Sequence, residues 1–232
     1  MLKIEKTVLP SPEQWEIIIE GMRNPMNSWD KMDSAVCRCG DGFQDCLAEV
    51  ACPRQDEEFH EDVFCIGEAD HKLMTNLAKG GAVHAKYRRM IPVFLTINAP
   101  LYWWKEFDTY KVGTVANSCS TMHKIHAKEF TMADFSCEHL CRQSMRVLEQ
   151  VVETLNIERN NFLIAEKKNK WAWWQMIQLL PTSYNQKRTV MLNYEVLVNI
   201  YHSRKNHKLD EWHIFCDWIR GLPYSELITG GE

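Results

Sequence analysis

The sequence predicts an α+β fold, mainly helical, in which helices flank a small sheet. Two observations carry this. Apolar residues recur at three- and four-residue spacing in 190–203 (Val190, Leu192, Val196, Leu197, Ile200, Tyr201) and in 209–219 (Leu209, Trp212, Phe215, Cys216, Ile219), the mark of helices with one buried face. One run does something else. Ile91, Val93, Leu95 and Ile97 alternate with Pro92, Phe94, Thr96 and Asn98, which is period two, with enough apolar character on both sides for a buried strand.

The other elements follow in chain order. Ser11-Pro12-Glu13-Gln14 starts a helix: Ser11 caps, Pro12 fits the first turn, Gln14 completes a capping box, and the helix runs to about Gly21. Residues 22–66, punctuated by Asn24-Pro25, Gly40 and Gly42, read as irregular, with one strand near Ala35–Cys39. Asp70 caps a helix closed by Gly80-Gly81. Pro100 opens a helix carrying Trp103, Trp104 and Phe107, and 110–123, rich in small polar residues, is a loop. Thr131 with Asp134 starts a long helix to about Leu155, and Trp171–Leu180 forms another that Pro181 stops. Gly221 and Pro223 end the last helix.

At 232 residues the chain suits a single domain, 1–232, with a full core. A net charge of −4 argues against nucleic acid or membrane binding driven by charge, while leaving room for a small phosphate pocket. No run approaches the ~20 apolar residues of a membrane span. Met1–Pro10 is too short and too charged for a signal peptide, so the expectation is a cytoplasmic protein. Nine Cys, an odd number, fit reduced thiols better than a disulfide framework, and nine Trp point to interfaces or a ligand site.

Cys37, Cys39, Cys46, Cys52, His60 and Cys65 offer ligand types for zinc. They lack the paired C-x-x-C spacing that lets two thiolates reach one tetrahedral ion, so free thiols without stoichiometric zinc are expected. Cys119, between Ser118 and Ser120, has no assigned base and reads as an ordinary thiol. The informative segment is 80–125. It runs from Gly80-Gly81-Ala82-Val83-His84 through the strand to Ala99-Pro100, then Lys105-Glu106, then Thr109-Tyr110-Lys111 and Asn117-Ser118-Cys119-Ser120-Thr121-Met122-His123. A buried strand feeding a helix and a small-residue loop brings backbone N–H groups close to a phosphate, or is simply a capped helix and a surface loop. A second block, 178–213, holds Leu180-Pro181, Tyr184, Asn199-Ile200-Tyr201-His202-Ser203-Arg204 and Glu211-Trp212-His213-Ile214.

These two blocks, in this order and separation, resemble the flavin-dependent thymidylate synthases. That family carries Gly-His before a strand, Ala-Pro, Arg-Gln at a helix end, and the signature R-H-R-x-x-S-x-N-E-x-S-x-R. Leu-Pro, Tyr, N-x-x-x-x-R and Gln-Trp-Glu-Ile follow. Here His84 is offset by two residues, Lys105-Glu106 stands for Arg-Gln, and Thr109-Tyr110-Lys111 for R-H-R with a one-residue insertion. Asn117 and Ser120 match, Thr114 stands for the first Ser, Ser118 replaces the Glu and Met122 the last Arg. The phosphate-binding Arg before Leu-Pro is missing, with Gln178 the nearest polar group. The resemblance covers roughly 70–220, and no motif extends it to 1–69.

The resemblance implies a thymidylate synthase-complementing-protein-like fold and a homotetramer with active sites between subunits. It implies methylation of dUMP to dTMP with FAD as cofactor, methylenetetrahydrofolate as carbon donor and NADPH as reductant. Arg204 is then catalytic, stabilising charge on the base. Glu106, Lys111, Asn117, Ser118, Ser120 and Gln178 join it on the nucleotide, and His84, Lys105, Thr114, Asn199 and His207 hold FAD. The altered signature leaves two relatives open, a hydroxymethylase of dUMP or dCMP and a binding protein without turnover. A Cys-based metal-stabilised interaction protein is the third alternative.

Overall fold

A computed structural model describes residues 1–37 and 63–231. Strand β1 (Lys3–Val8) leads into helix α1 (Pro12–Arg23), and two short strands, β2 (Ala35–Cys37) and β3 (Val63–Cys65), pair antiparallel. Helix α2 (Glu68–Lys79) precedes β4 (Pro92–Pro100), which runs directly into α3 (Leu101–Phe107). After β5 (Val115–Ser118) come α4 (Arg142–Ile164) and α5 (Lys170–Leu179), then β6 (Asn185–Asn193), α6 (Tyr194–Arg204), α7 (Asp210–Arg220) and the short α8 (Glu226–Thr229). The main sheet has the order β1-β4-β6-β5, with every pairing antiparallel. The expected α+β architecture, a small sheet flanked by helices, is the one observed.

The period-two reading of β4 has a direct structural counterpart. Ile91, Val93, Leu95, Ile97 and Ala99 are buried, joined by Val190 and Leu192 of β6, while Phe94 on the opposite face is 46% exposed. In register, Val8, Phe94, Met191 and Val115 form one row across that open face. The covered face meets the main core. There Trp103, Trp104 and Trp212, all fully buried, pack with Phe107 and Phe215. Rings of this size bury roughly 150–250 Å² each, worth about 4–6 kcal/mol gross per ring at ~25 cal/mol/Å². A second cluster, Ile125, Phe130, Phe135, Leu148, Leu155, Phe162 and Met176, sits between α4, α5 and the chain before α4. The Leu101 and Tyr102 N–H groups donate to the Tyr184 and Thr182 carbonyls, which ties the half-buried start of α3 to the segment after α5.

Helix α1 begins as its sequence dictates. The Ser11 hydroxyl accepts from Gln14 N and the Gln14 side chain accepts from Ser11 N. Asp70 differs from expectation. Gly67 is the N-cap of α2, and Asp70 lies buried in the first turn. It accepts from Arg23 Nε at 2.5 Å and from Asp33 N, Ser34 N and Ser34 Oγ. A fully buried carboxylate is stable only with such a set of donors, so this network clamps α1 and α2 to the chain before β2.

Three further expectations are corrected. Val190 and Leu192 belong to β6, not to a helix; Leu192 lies four residues before Val196 and Val190 seven before Leu197, which mimics a helical spacing, and Asn193 caps α6 through a 3.1 Å bond from Val196 N. The loop expected over 110–123 contains β5, whose four residues are all exposed on a sheet edge and so carry no apolar pattern. Thr131 and Asp134 do form a capping box, but it closes one 3₁₀ turn, Met132–Asp134; the long helix starts at Arg142. No element was expected at β1. Of the proposed zinc ligands, Cys39, Cys46, Cys52 and His60 lie outside the described residues. Among the described residues no group of three His, Cys, Asp or Glu is placed to hold a metal ion, and no helix is long and apolar enough to cross a membrane.

Candidate functional site

The end of α3, the end of α6 and the start of α7 converge on Glu106. Its Oε2 accepts from Arg204 Nη1 at 2.7 Å and Trp212 Nε1 at 2.9 Å, and His207 Nε2 lies 3.3 Å away. The Arg204 Nε donates to Tyr110 Oη at 2.8 Å, and its guanidinium lies over the Trp212 ring, 4.8 Å from the centroid. Leu209 N donates to His207 Nδ1 at 3.2 Å, which turns Nε2 toward Glu106. Arg204 is thus fixed on two edges and one face. Its side chain is only 18% exposed, and three of its five N–H donors are left over from these bonds.

Tyr110 links this cluster to a cavity of about 280 Å³ lined by Phe107, Asp108, Tyr110, Lys111, Thr114 and Ala116. Gly113 makes the tight turn beside it. Its φ of +80° suits glycine, and a Cβ there would meet Val196 Cγ2 at 3.1 Å and Asn193 Nδ2 at 3.2 Å, so the turn sits close on the start of α6. The Thr114 hydroxyl is buried with no hydrogen-bond partner. An unsatisfied buried hydroxyl costs about 1–3 kcal/mol, a cost that a bound polar group would remove.

The loop after β5 is stitched to β6: Cys119 N donates to Lys187 O, and Cys119 O accepts from Gln186 Nε2. The Ser120 hydroxyl accepts from the N–H groups of Met122, His123 and Lys124 at 2.9–3.3 Å. Those are the donors a phosphate would use, and in this conformation the serine occupies them.

The structure therefore brings Arg204, Glu106 and His207 together, and through Tyr110 joins them to Lys111 and Thr114. Other expected site residues stand apart. Asn117 and Ser118 are exposed on β5, Lys105 on α3 and Asn199 on α6. Gln178 is exposed at the end of α5, and His84 on the turn after α2. Among the described residues no hydrogen bond or ion pair joins His84, Asn199 or Gln178 to the Arg204 cluster.

Two charged residues beside the cavity escape a reading of the sequence. Arg188, whose Cα partner across the strands is Ser118, donates to Gln186 Oε1 at 2.9 Å and Asp108 Oδ1 at 2.7 Å and stacks 4.3 Å over Trp104. Arg188 gives no signal until β6 is recognised as a strand. Asp108 then follows from it as the partner charge.

No family model and no curated protein sequence matches the chain. Solved structures do. Thymidylate synthase X from Helicobacter pylori, in a crystal structure with FAD and dUMP, superposes with a TM-score of 0.60 at 14% identity, over 98% of this chain and 95% of that one. A UMP/dUMP methylase, PolB from Streptomyces cacaoi, bound with 5-Br dUMP, gives 0.58 at 12% identity over 99% and 94%. This chain has the fold those proteins share, over nearly its whole length.

Proposed function

We propose that the chain is a flavin-dependent enzyme that modifies a pyrimidine nucleotide, methylating dUMP to dTMP. The observation that carries this reading is Arg204: a guanidinium fixed by Glu106, Tyr110 and Trp212, with donors to spare, next to a cavity whose wall holds an unpartnered hydroxyl. The fold adds support, because its neighbours at 12–14% identity were solved with FAD and dUMP or with a bromo-dUMP.

Arg204 acts on the nucleotide base. Held in place, it pairs with a pyrimidine oxygen and stabilises negative charge that develops there, with no reorganisation at the moment of reaction. Glu106 and Tyr110 set its orientation, and Trp212 keeps water from one face. From the wall of one cavity, Lys111 supplies a cation to the nucleotide and Thr114 a hydroxyl to FAD. When bound, FAD would supply the redox and one-carbon-carrying chemistry, with NADPH as reductant and methylenetetrahydrofolate as carbon donor. About 280 Å³ falls just below the ~300–1,000 Å³ of small-ligand sites and well short of a whole dinucleotide. A second copy of the chain completing the site, as in a homotetramer, accounts for the difference.

The test is turnover of labelled dUMP with FAD, NADPH and methylenetetrahydrofolate. Formation of dTMP supports the reading. A hydroxymethylated product from dUMP or dCMP favours the related hydroxymethylase, and tight nucleotide binding without product favours a binding protein.

A further inference from the structure

A second cavity, of about 270 Å³, lies away from Arg204, where the turn between α4 and α5 meets the end of the 118–124 loop. It is lined by His123, Phe162, Lys167, Lys168, Lys170 and Trp173. In a chain of net charge −4, three lysines and a histidine share one small wall, and Lys124 and Arg159 stand close behind it. Among the described residues Lys168 alone of the three lysines has a carboxylate partner, Glu166 at 3.0 Å, and both groups are 80% exposed. Such a pair is weak and easily exchanged for a better anion.

Three observations set this cavity apart from an ordinary solvated lysine patch. Glu166 and Lys167 are consecutive non-glycine residues in the left-handed region, with φ of +50° and +65°. That conformation is uncommon for either side chain, and here it holds the turn that presents the lysines. The floor is aromatic, Phe162 and Trp173, and the Trp173 indole is anchored by its bond to the Met122 carbonyl at 3.1 Å. Behind Phe162, His126 is buried, its ring 4.9 Å from the phenyl centroid and its Nδ1 without a partner. Desolvation, and then the charges of Lys167, Lys124 and Arg159, hold its pKa below the ordinary value, so the positive field reaches beneath the surface.

We infer that this cavity is an oxyanion site that binds a phosphate group. Lys167, Lys168 and Lys170 supply the charge, with Trp173 and Phe162 as an apolar backing that raises its effect. The position bears on the nucleotide. Two elements assigned to the nucleotide, the loop that carries Ser120 and the helix that carries Gln178, border this cavity. Met122 is the residue before His123 and touches Trp173 through its carbonyl; Gln178 is two turns along α5 from Lys170. The phosphate therefore comes either from the pyrimidine nucleotide itself or from a second phosphorylated molecule.

Calorimetric titration with inorganic pyrophosphate reads the site without reference to flavin or turnover. Wild type should bind, and more weakly as salt rises. Lys167→Gln with Lys170→Gln should weaken binding roughly twenty-five-fold, at about a factor of five per exposed cation. Glu166→Gln, which removes the competing carboxylate, should tighten it. The His126 ring should titrate at higher pH with pyrophosphate present. Parallel titrations with dUMP and deoxyuridine identify the source. If the double variant loses dUMP affinity but keeps that for deoxyuridine, the phosphate is the nucleotide's. If it loses pyrophosphate but binds dUMP as wild type does, the phosphate belongs to a second molecule. The inference is overturned if wild type shows no saturable pyrophosphate binding, or if the folded double variant binds it unchanged.

Discussion

Arg204→Ala removes the side chain on which the proposed chemistry turns. It deletes the Nη1 bond to Glu106, the Nε bond to Tyr110 and the stacking over Trp212. Glu106 keeps Trp212 Nε1 and His207, and at 33% exposed it also keeps some water, so the ion pair must be discounted for solvent. The expected loss of stability is about 1–2 kcal/mol, or a fall of roughly 2–8 °C in Tm for a chain of this size. Nucleotide binding should suffer more, because a charge-assisted bond in a shielded site is worth about 1.5–3 kcal/mol, a ten- to hundredfold loss in affinity. Arg204→Lys should recover only part, since an ammonium cannot meet Glu106, Tyr110 and a base oxygen with one planar fork. Flavin content should largely survive both changes. The assay is titration of wild type and both variants with dUMP and dCMP, alongside thermal melts. A folded Arg204→Ala protein that binds both nucleotides as wild type does would refute the reasoning.

Other expectations follow from separate parts of the structure. Light scattering at micromolar concentration should report an oligomer, a tetramer by the resemblance; a strict monomer would remove the second copy that the site is proposed to need. Cys141, exposed at the N-cap of α4, has its thiol pKa lowered by a hydrogen bond with Ser144 and by the backbone N–H groups of Ser144 and Gln143, whereas burial pushes Cys216 up to about 11. Timed alkylation near neutral pH should label Cys141 well before Cys216, and equal rates would contradict the assigned environments. Asp70→Ala strands Arg23, whose side chain is 4% exposed, and should cost about 3–5 kcal/mol. An unchanged urea midpoint would show that the clamp adds nothing to stability.

What the sequence discloses tracks how much each element depends on itself. The α1 capping box, the buried β4 and the Pro100 start of α3 are local patterns, and each is present as read. The misreadings fall where tertiary partners decide. Strand β6 ends in apolar residues that also suit a helix, and its pairing with β4 over nine residues makes it a strand. Strand β5 consists of exposed residues at the sheet edge, where among the described strands it pairs with β6 alone. The Thr131 box is a genuine local signal, yet Phe135 is drawn into a bridge with Tyr184 and the chain turns away before a helix can grow. In the site, the N-x-x-x-x-R spacing and the Glu-Trp pair lead to Arg204 and Trp212. The partnership of Arg204 with Glu106, 98 residues away in sequence, needs the fold, as does the arrival of Arg188 over Trp104.

The most direct test of the central claim is the visible absorbance spectrum of the purified protein supplied with FAD and then titrated with dUMP. Bound flavin in stoichiometric amount is expected, with bands that shift as dUMP enters beside Arg204. A folded protein that stays colourless and takes up no FAD would contradict it.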